Sequence, residues 1–413
     1  MFRPTVQNLP VTPVARRVLL GATALFGSVV VVASVTMLAN QRAIRNSSGC
    51  AFEDGISYCA QATGKIGTAP FTYRPLVPFA ARIVRAVSDW SLVGSFQFVA
   101  ACGFLLTICS LAALARGTAL RSGVAPRQAW LIAFGAVLLW ISTPYALRFV
   151  LTAPTFVDEL ATGLAVTWLA VFFARGRLLV WVVAPVLAIL ATLAREVGIA
   201  TVGVTCVTAV ILRLVSLRHA VVNCVAAAGA FVFDLSQPHL PHPANSPSMA
   251  WEITEKWIRF PHQALSALLM GTGLVLFALT PFAVVRTRRA LADPRYVSAL
   301  VPTAVVLVVS SAFLGRELPR FSSVATPILC LLLAFYLVLV ADALRVVLLT
   351  AAAFVFLQEW MIFDVVPRTH HGYAQYFYGR ETFHLGIILL FVAIGAVLAV
   401  VDLDKVLSRP EQL

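Results

Sequence analysis

Charge is scarce in this chain. Only 12% of its 413 residues are Asp, Glu, Lys or Arg, and just 18 are acidic. A soluble domain with so few ionic groups and 60% hydrophobic residues would have to leave most of its surface apolar. No stretch between the apolar runs is long enough for a soluble domain of ordinary size. Three catalytic signatures are missing as well: a cysteine–histidine zinc pattern, a phosphate-binding glycine loop and a serine-hydrolase elbow. What remains is a chain whose polar chemistry is confined to a few short segments.

Those segments separate repeated apolar runs of roughly 20 residues, each bounded by Arg or by polar turns, the pattern of transmembrane helices. Residues 1–17 are polar and carry Arg3, Arg16 and Arg17. The run at 18–39 is too long for the apolar region of a signal peptide and reads as a retained first span with its N-terminus inside. Further spans are expected at about 91–115, 129–147, 156–174, 178–194, onward to 212, 219–235, 263–285, 298–314, 323–343, 345–363 and 385–401. The fold class is therefore an all-α membrane protein, a polytopic helical bundle of about 12 transmembrane helices (range 10–13) forming one transmembrane domain over residues 1–413. Its extracytoplasmic loops are 40–90, 236–262 and 364–384. The first includes an amphipathic piece from Leu76 to Trp90, with Arg82 and Arg85 on one helical face.

The net charge of +13 does not imply a nucleic-acid partner, because the arginines sit in short loops. Under the twelve-span topology, 17 Lys and Arg fall inside and 14 outside, while five acids fall inside and 13 outside. Inner loops are basic and outer loops nearly neutral, which places both termini in the cytoplasm, and the lack of eukaryotic sorting signals points to a bacterial inner membrane. No internal repeat of the transporter kind is visible.

Five cysteines, Cys102, Cys109, Cys206, Cys224 and Cys330, lie in apolar spans as small core residues. Cys50 and Cys59 instead bracket Glu53 and Asp54 in an outer loop, where an oxidising compartment permits a disulfide that would pin the acid-bearing turn; two free thiols is the alternative.

Ionisable residues near membrane depth are costly and point to function. Here they gather at the outer ends of spans: Glu53 and Asp54; Asp158 and Glu159; Arg195 and Glu196; Arg316, Glu317 and Arg320; His370, His371, Arg380 and Glu381. Carboxylates supply a general base or metal ligands, and arginines supply bidentate phosphate binding. Such a set suits a substrate with a phosphate leaving group and a hydroxyl nucleophile. Each member also has a plainer reading. Arg195–Glu196 could be an ion pair capping a tight turn, Asp158–Glu159 a solvated span end, and His370–His371 ordinary loop residues without matching ligand spacing.

Two stretches sharpen the reading. Phe52-Glu53-Asp54-Gly55-Ile56-Ser57-Tyr58 is an acid-bearing first outer loop, and Pro70-Phe71-Thr72-Tyr73-Arg74-Pro75-Leu76-Val77-Pro78 follows it. With Leu193-Ala194-Arg195-Glu196 and Arg320-Phe321 ahead of Pro327, they resemble bacterial members of the GT-C superfamily of integral-membrane glycosyltransferases. The resemblance implies a polyprenyl-phosphate-linked sugar as donor and a glycan, lipid or protein acceptor on the extracytoplasmic face. It implies Asp54, or Glu53 in its place, as general base, and Arg74, Arg195, Arg316 and Arg320 as donor-phosphate ligands, with a divalent metal in some members. Tyr58, Tyr73, Asp158, Glu159, Glu196, His370 and His371 complete the expected substrate-binding set. The chain departs from many relatives in lacking a large C-terminal soluble domain. Two other classes remain open. A transporter or flippase of lipid-linked glycans would use near-internal acids such as Asp234 and Glu359, and a non-catalytic envelope-assembly protein would tolerate loss of the first-loop acids.

Overall fold

The computed structural model describes Cys50, residues 53–67, 73–141, 143, 146, 157–238, 240, 257–259, 281, 284–313 and 323–339. Among the described residues the architecture is helical, without a β-strand. The elements are α1 Glu53–Ala62, α2 Leu76–Ser88, α3 Leu92–Arg121, α4 Pro126–Ile141, α5 Asp158–Phe172, α6 Ala184–Ala194, α7 Val197–Ile211, α8 Leu217–Leu235, α9 Arg295–Phe313 and α10 Thr326–Leu339. The spans expected at 18–39, 345–363 and 385–401 lie outside the described residues, as does almost all of 263–285.

Among the described residues, two helices, α3 with 30 residues and α8 with 19, are long and apolar enough to cross a membrane. The apolar helices α4, α7, α10 and the segment Leu179–Ala194 are shorter, as is the apolar part of α9. Local chemistry sets the boundaries. Ser91 caps α3 by accepting a hydrogen bond from the Gly94 amide at 3.1 Å, and Ser216 caps α8 in the same way from His219. A π-helical turn, Leu179–Val183, feeds α6. Pro185 has no N–H to give to the carbonyl one α-turn earlier, so the ladder widens there before it resumes.

Helix α3 is the hub and packs on α2, α4 and α5; α4 also packs on α10, α5 on α6, and α6, α7 and α8 on one another, with α9 against α7. The α3–α5 crossing is close because small residues meet there. A Cβ on Gly103 would lie 2.6 Å from the Leu160 amide nitrogen, and a Cβ on Gly163 would lie 2.6 Å from the Gly103 carbonyl oxygen. Thr107 and Thr167 donate to the carbonyls of Gly103 and Gly163, and Ser110 and Thr167 share a hydrogen bond across the interface. Close backbone approach through small residues, with hydroxyls bonded locally or across the crossing, is how helices associate without a hydrophobic driving force.

The outside of the bundle is apolar where a soluble protein would be polar. Trp130, Leu131 and Phe134 on α4, Val207 on α7, Val221, Val225 and Val232 on α8, and Val305 and Val309 on α9 are all exposed. The interior holds polar side chains instead. Asn223 accepts from the Trp168 indole at 3.0 Å, and Thr205 and Thr303 pair at 2.8 Å.

The glycines give a direct prediction. Gly103→Ala should destabilise the fold by about 1–3 kcal/mol, because the atoms its Cβ would strike are backbone and cannot rotate away. Gly203→Ala and Gly229→Ala meet nothing within 4 Å and should be neutral or stabilising by up to ~1 kcal/mol through helix propensity. Thermal unfolding of the three variants in one detergent ranks them.

Candidate functional site

The bundle has two chemically different ends. Phe172 at the end of α5 packs on His219 near the start of α8 with ring centroids 4.7 Å apart, so Asp158 and Asp234, at the far ends of the same helices, mark the opposite end. At the Phe172–His219 end the connections are basic. Arg116 lies over the Trp130 ring, Arg121 over Tyr296 and Arg218 over Trp181, while Asp293 is held by Arg295. At the Asp158–Asp234 end the acids and two buried arginines gather.

The segment carrying α1 and α2 is docked onto that second end. Tyr58, Cys59, Ala62, Val77, Ala81, Phe96, Val99 and Val157 form a small core that joins α1 and α2 to the start of α3 and the residue preceding α5. Cys50 and Cys59 are joined by a disulfide with Cα atoms 5.7 Å apart, closing a loop of sequence separation 9 around the N-terminus of α1. Replacing both cysteines by Ser should lower stability by about 2–3 kcal/mol from the lost loop constraint. Intact-mass analysis after alkylation checks the bridge, since Cys50 and Cys59 should become labelled only after reduction. The Leu240 amide donates to the Gly67 carbonyl at 3.0 Å, which joins the 236–262 segment to the first loop.

The centre of the site is Arg74, only 2% exposed. Its Nε donates to Glu196 Oε2 at 2.8 Å, its Nη2 to Glu196 Oε1, and its Nη1 to the Tyr58 hydroxyl at 2.9 Å. Burial disfavours the guanidinium charge, but Glu196 and Tyr58 overcome that and hold it more firmly protonated than an ordinary arginine. Burial likewise pushes Glu196 up, and the Arg74 charge and hydrogen bonds, with Arg195 nearby, more than reverse it, leaving the carboxyl at about 2.

Glu196 is held in place by the α6–α7 connection. Arg195 ends α6 in an extended conformation and Glu196 opens α7, so the turn consists of these two charged residues alone. Gly198 makes the turn possible, because a Cβ there would lie 2.6 Å from the carbonyl carbon and oxygen of Ala191. Turning the chain this tightly sends adjacent side chains to different partners. Glu196 meets Arg74, and the buried Arg195 forms an ion pair with Asp158 in the first turn of α5.

Two further acids complete the set. Glu159 is 3% exposed with Oε2 accepting no hydrogen bond, and Asp234 is 1% exposed with neither carboxylate oxygen bonded. Asp234 lies within electrostatic reach of Glu196. A buried carboxylate without a partner is unfavourable for stability alone, and such groups are kept where a ligand or a proton will meet them. Among the described residues, no three acidic, His or Cys side chains stand close enough together to hold a metal ion.

Of the residues expected from sequence, Tyr58, Arg74, Asp158, Glu159, Arg195 and Glu196 are thus brought to one end of the bundle. Tyr73 precedes Arg74 and is partly buried. Glu53 and Asp54 form the first turn of α1, with Asp54 one helical turn before Tyr58. Arg316, Arg320, His370 and His371 lie outside the described residues. The structure also gives Arg74 a setting different from that of an open phosphate ligand. Three of its nitrogens already serve Glu196 and Tyr58, so it ties the first loop to the α6–α7 turn. Asp234 was legible as a near-internal acid but not as a member of this group. The signal was its place at the outer end of a span, beside the connection that carries Glu196.

No family model matches the chain, and neither a curated protein nor a solved structure is found to be similar to it.

Proposed function

We propose that this protein is a polytopic membrane glycosyltransferase that moves a sugar from a polyprenyl-phosphate donor to a glycan, lipid or protein acceptor at the extracytoplasmic end of the bundle. The observation that carries the reading is the burial, at one end of an apolar-surfaced helical bundle, of two arginines with Asp158, Glu159 and Asp234, beside the partly exposed Glu196. A lipid-linked phosphosugar presents a phosphate at the membrane surface and an anomeric carbon beside it. Displacement at that carbon needs a cation to stabilise the departing phosphate and a carboxylate to take the acceptor proton.

In this reading Arg195 is the phosphate ligand, oriented by Asp158. Arg74, Glu196 and Tyr58 hold the first loop against the bundle, which fixes the position of α1. Asp54, at the start of α1, is the general base, with Glu53 as its substitute. Glu159 and Asp234 are free to accept hydrogen bonds from sugar hydroxyls or to take part in holding a divalent cation. The disulfide and the basic opposite end support the same sidedness, with an oxidising exterior and a positive interior.

The test is turnover by the purified protein in nanodiscs, with a panel of polyprenyl-phosphate-linked sugars and a crude envelope extract as acceptor source. Label should move from donor into extract. Retention of label in every donor would count against transfer. A second reading, proton-coupled transport, is favoured by one observation, the buried and unbonded Asp234. It requires proton-driven uptake in vesicles that Asp234→Asn abolishes.

A further inference from the structure

Helix α2 has three faces, and its packing against the other described residues uses one of them. Val77, Pro78 and Ala81 are buried against the neighbouring elements, whereas Phe79, Ile83 and Val87 are exposed at i, i+4 and i+8, an unbroken apolar stripe. Val87 is 83% exposed. Arg82 and Arg85 are both exposed; Arg82 lies on one flank of that stripe, between it and the buried face, and Arg85 lies on the side of the helix away from the stripe.

The stripe does not stop at the end of the helix. After α2 the chain reverses through Asp89, which has φ of 54°, and the exposed Trp90 packs edge-on against Phe98 at 5.5 Å. Phe98 and Leu105 are exposed on α3, one of the two helices long enough to cross a membrane. The apolar surface of α2 therefore continues through Trp90 into the outward surface of a spanning-length helix. At 13 residues, α2 covers about 20 Å and is too short to span a bilayer itself, which takes roughly 20 residues.

We infer that the Phe79–Ile83–Val87 face of α2 is a membrane-docking surface: the helix lies in the outer interface with this stripe among acyl chains and with Arg82 and Arg85 at the phosphates of anionic lipid headgroups. The occupant is the phospholipid leaflet. Continuity with the exposed apolar surface of α3, a helix of spanning length, favours a lipid neighbour, and the exposed Arg82 and Arg85 match phosphate rather than a neutral surface. A short helix with an apolar face, exposed arginines and a terminal Trp has the features that hold a segment at the depth of the headgroup boundary. One consequence concerns the site described above. Leu76, the first residue of α2, is two positions after Arg74, so an α2 seated in the leaflet sets the height of Arg74 and Tyr58 relative to the headgroups. The inference does not depend on the proposed reaction, because it concerns how the first loop meets the membrane.

The test is spin-label accessibility on the full chain in nanodiscs containing phosphatidylglycerol. Nitroxides go at positions 79, 83, 87 and 85, in a background where the five free cysteines are Ala and the Cys50–Cys59 bridge is kept. The expected result is collision with oxygen several-fold greater than with a water-soluble nickel chelate at 79, 83 and 87, and the reverse at 85. Access of the nickel chelate to 83 and 87 would overturn the inference by placing the stripe in water. Shielding of both positions from both reagents would overturn it as well, by showing that a second copy or another protein covers the face. Should one labelled variant misfold, the other two stripe positions decide. Separately, R82E/R85E should weaken capture by phosphatidylglycerol-rich nanodiscs relative to neutral ones, and an unchanged preference would contradict the headgroup contact.

Discussion

Glu196→Ala should lower the stability of the folded protein by about 3–5 kcal/mol, one of the two largest effects expected from a single change. The substitution removes the acceptor of two guanidinium hydrogen bonds and leaves Arg74 charged and buried, with Tyr58 as its remaining bonded partner. Arg74→Ala should cost a similar amount for the mirror reason, since Glu196 would keep its charge in a site that burial makes unfavourable. The two effects should not add. With both groups gone no uncompensated charge remains, so Arg74→Met combined with Glu196→Leu should be closer to wild type than either single variant. Thermal or denaturant unfolding of wild type, Arg74→Met, Glu196→Leu and their combination closes the cycle.

The same pair gives a pH dependence of defined sign. The Glu196 carboxyl sits at about 2 in the folded protein against an ordinary 4.5. A carboxyl depressed by folding contributes stability that is fully present above its unfolded value. That contribution disappears as the pH falls from about 4.5 toward 2, and its size is about 3 kcal/mol. Glu196→Gln should therefore show a smaller loss of stability than wild type between pH 5 and pH 3, by about 2 kcal/mol, the part of that contribution titrated in this window.

The second large effect is on turnover. Under the proposed function, Asp54→Asn should reduce sugar transfer by about 10²–10⁴-fold while leaving donor binding and folding intact. The physical reason is that an amide keeps the shape and hydrogen bonding of the carboxyl but cannot take the acceptor proton. Glu53→Gln should cost much less if Asp54 is the base, and the two effects should exchange if Glu53 is. Equal turnover in wild type, Asp54→Asn and Glu53→Gln would remove the first-loop acids from the reaction.

Much of the helical arrangement is legible because burial in an apolar medium leaves strong boundary signals. Arg195–Glu196 interrupts a continuous apolar run and marks a two-residue turn, and the structure places helices on either side of it. Where expectation and structure part, local chemistry explains the shift. Helix α3 runs on past 115 to Arg121, because arginine is a good helix former and Arg116 and Arg121 settle over Trp130 and Tyr296. Helix α4 stops at Ile141 rather than 147, since Pro144 disfavours helix in the residue before it.

The site was legible in its membership more than in its pairings. The residue types and their positions at span ends single out Asp158, Glu159, Arg195 and Glu196, and the resemblance of the first-loop stretches added Tyr58 and Arg74. Nothing in a linear sequence joins Arg74 to Glu196 across 122 positions. Nor does it show that adjacent Arg195 and Glu196 take separate partners, since that follows from the extended backbone at Arg195 and the close seat of Gly198. Tertiary packing supplied both. The consequence is functional, because pairing turns Arg74 from an open phosphate ligand into a tie; Arg195 is the proposed donor contact, and Arg316 and Arg320, expected in the same role, lie outside the described residues.

The measurement that bears most directly on the central claim is saturable binding of a polyprenyl-phosphate-linked sugar to the purified protein in nanodiscs, comparing wild type, Arg195→Ala and Asp54→Asn. The account predicts binding by wild type that free polyprenyl phosphate competes away. It predicts at least tenfold weaker binding by folded Arg195→Ala and unchanged binding by Asp54→Asn. Absence of binding to any polyprenyl-linked sugar, or equal affinity in wild type and Arg195→Ala, would contradict it and direct attention to proton-coupled uptake at Asp234.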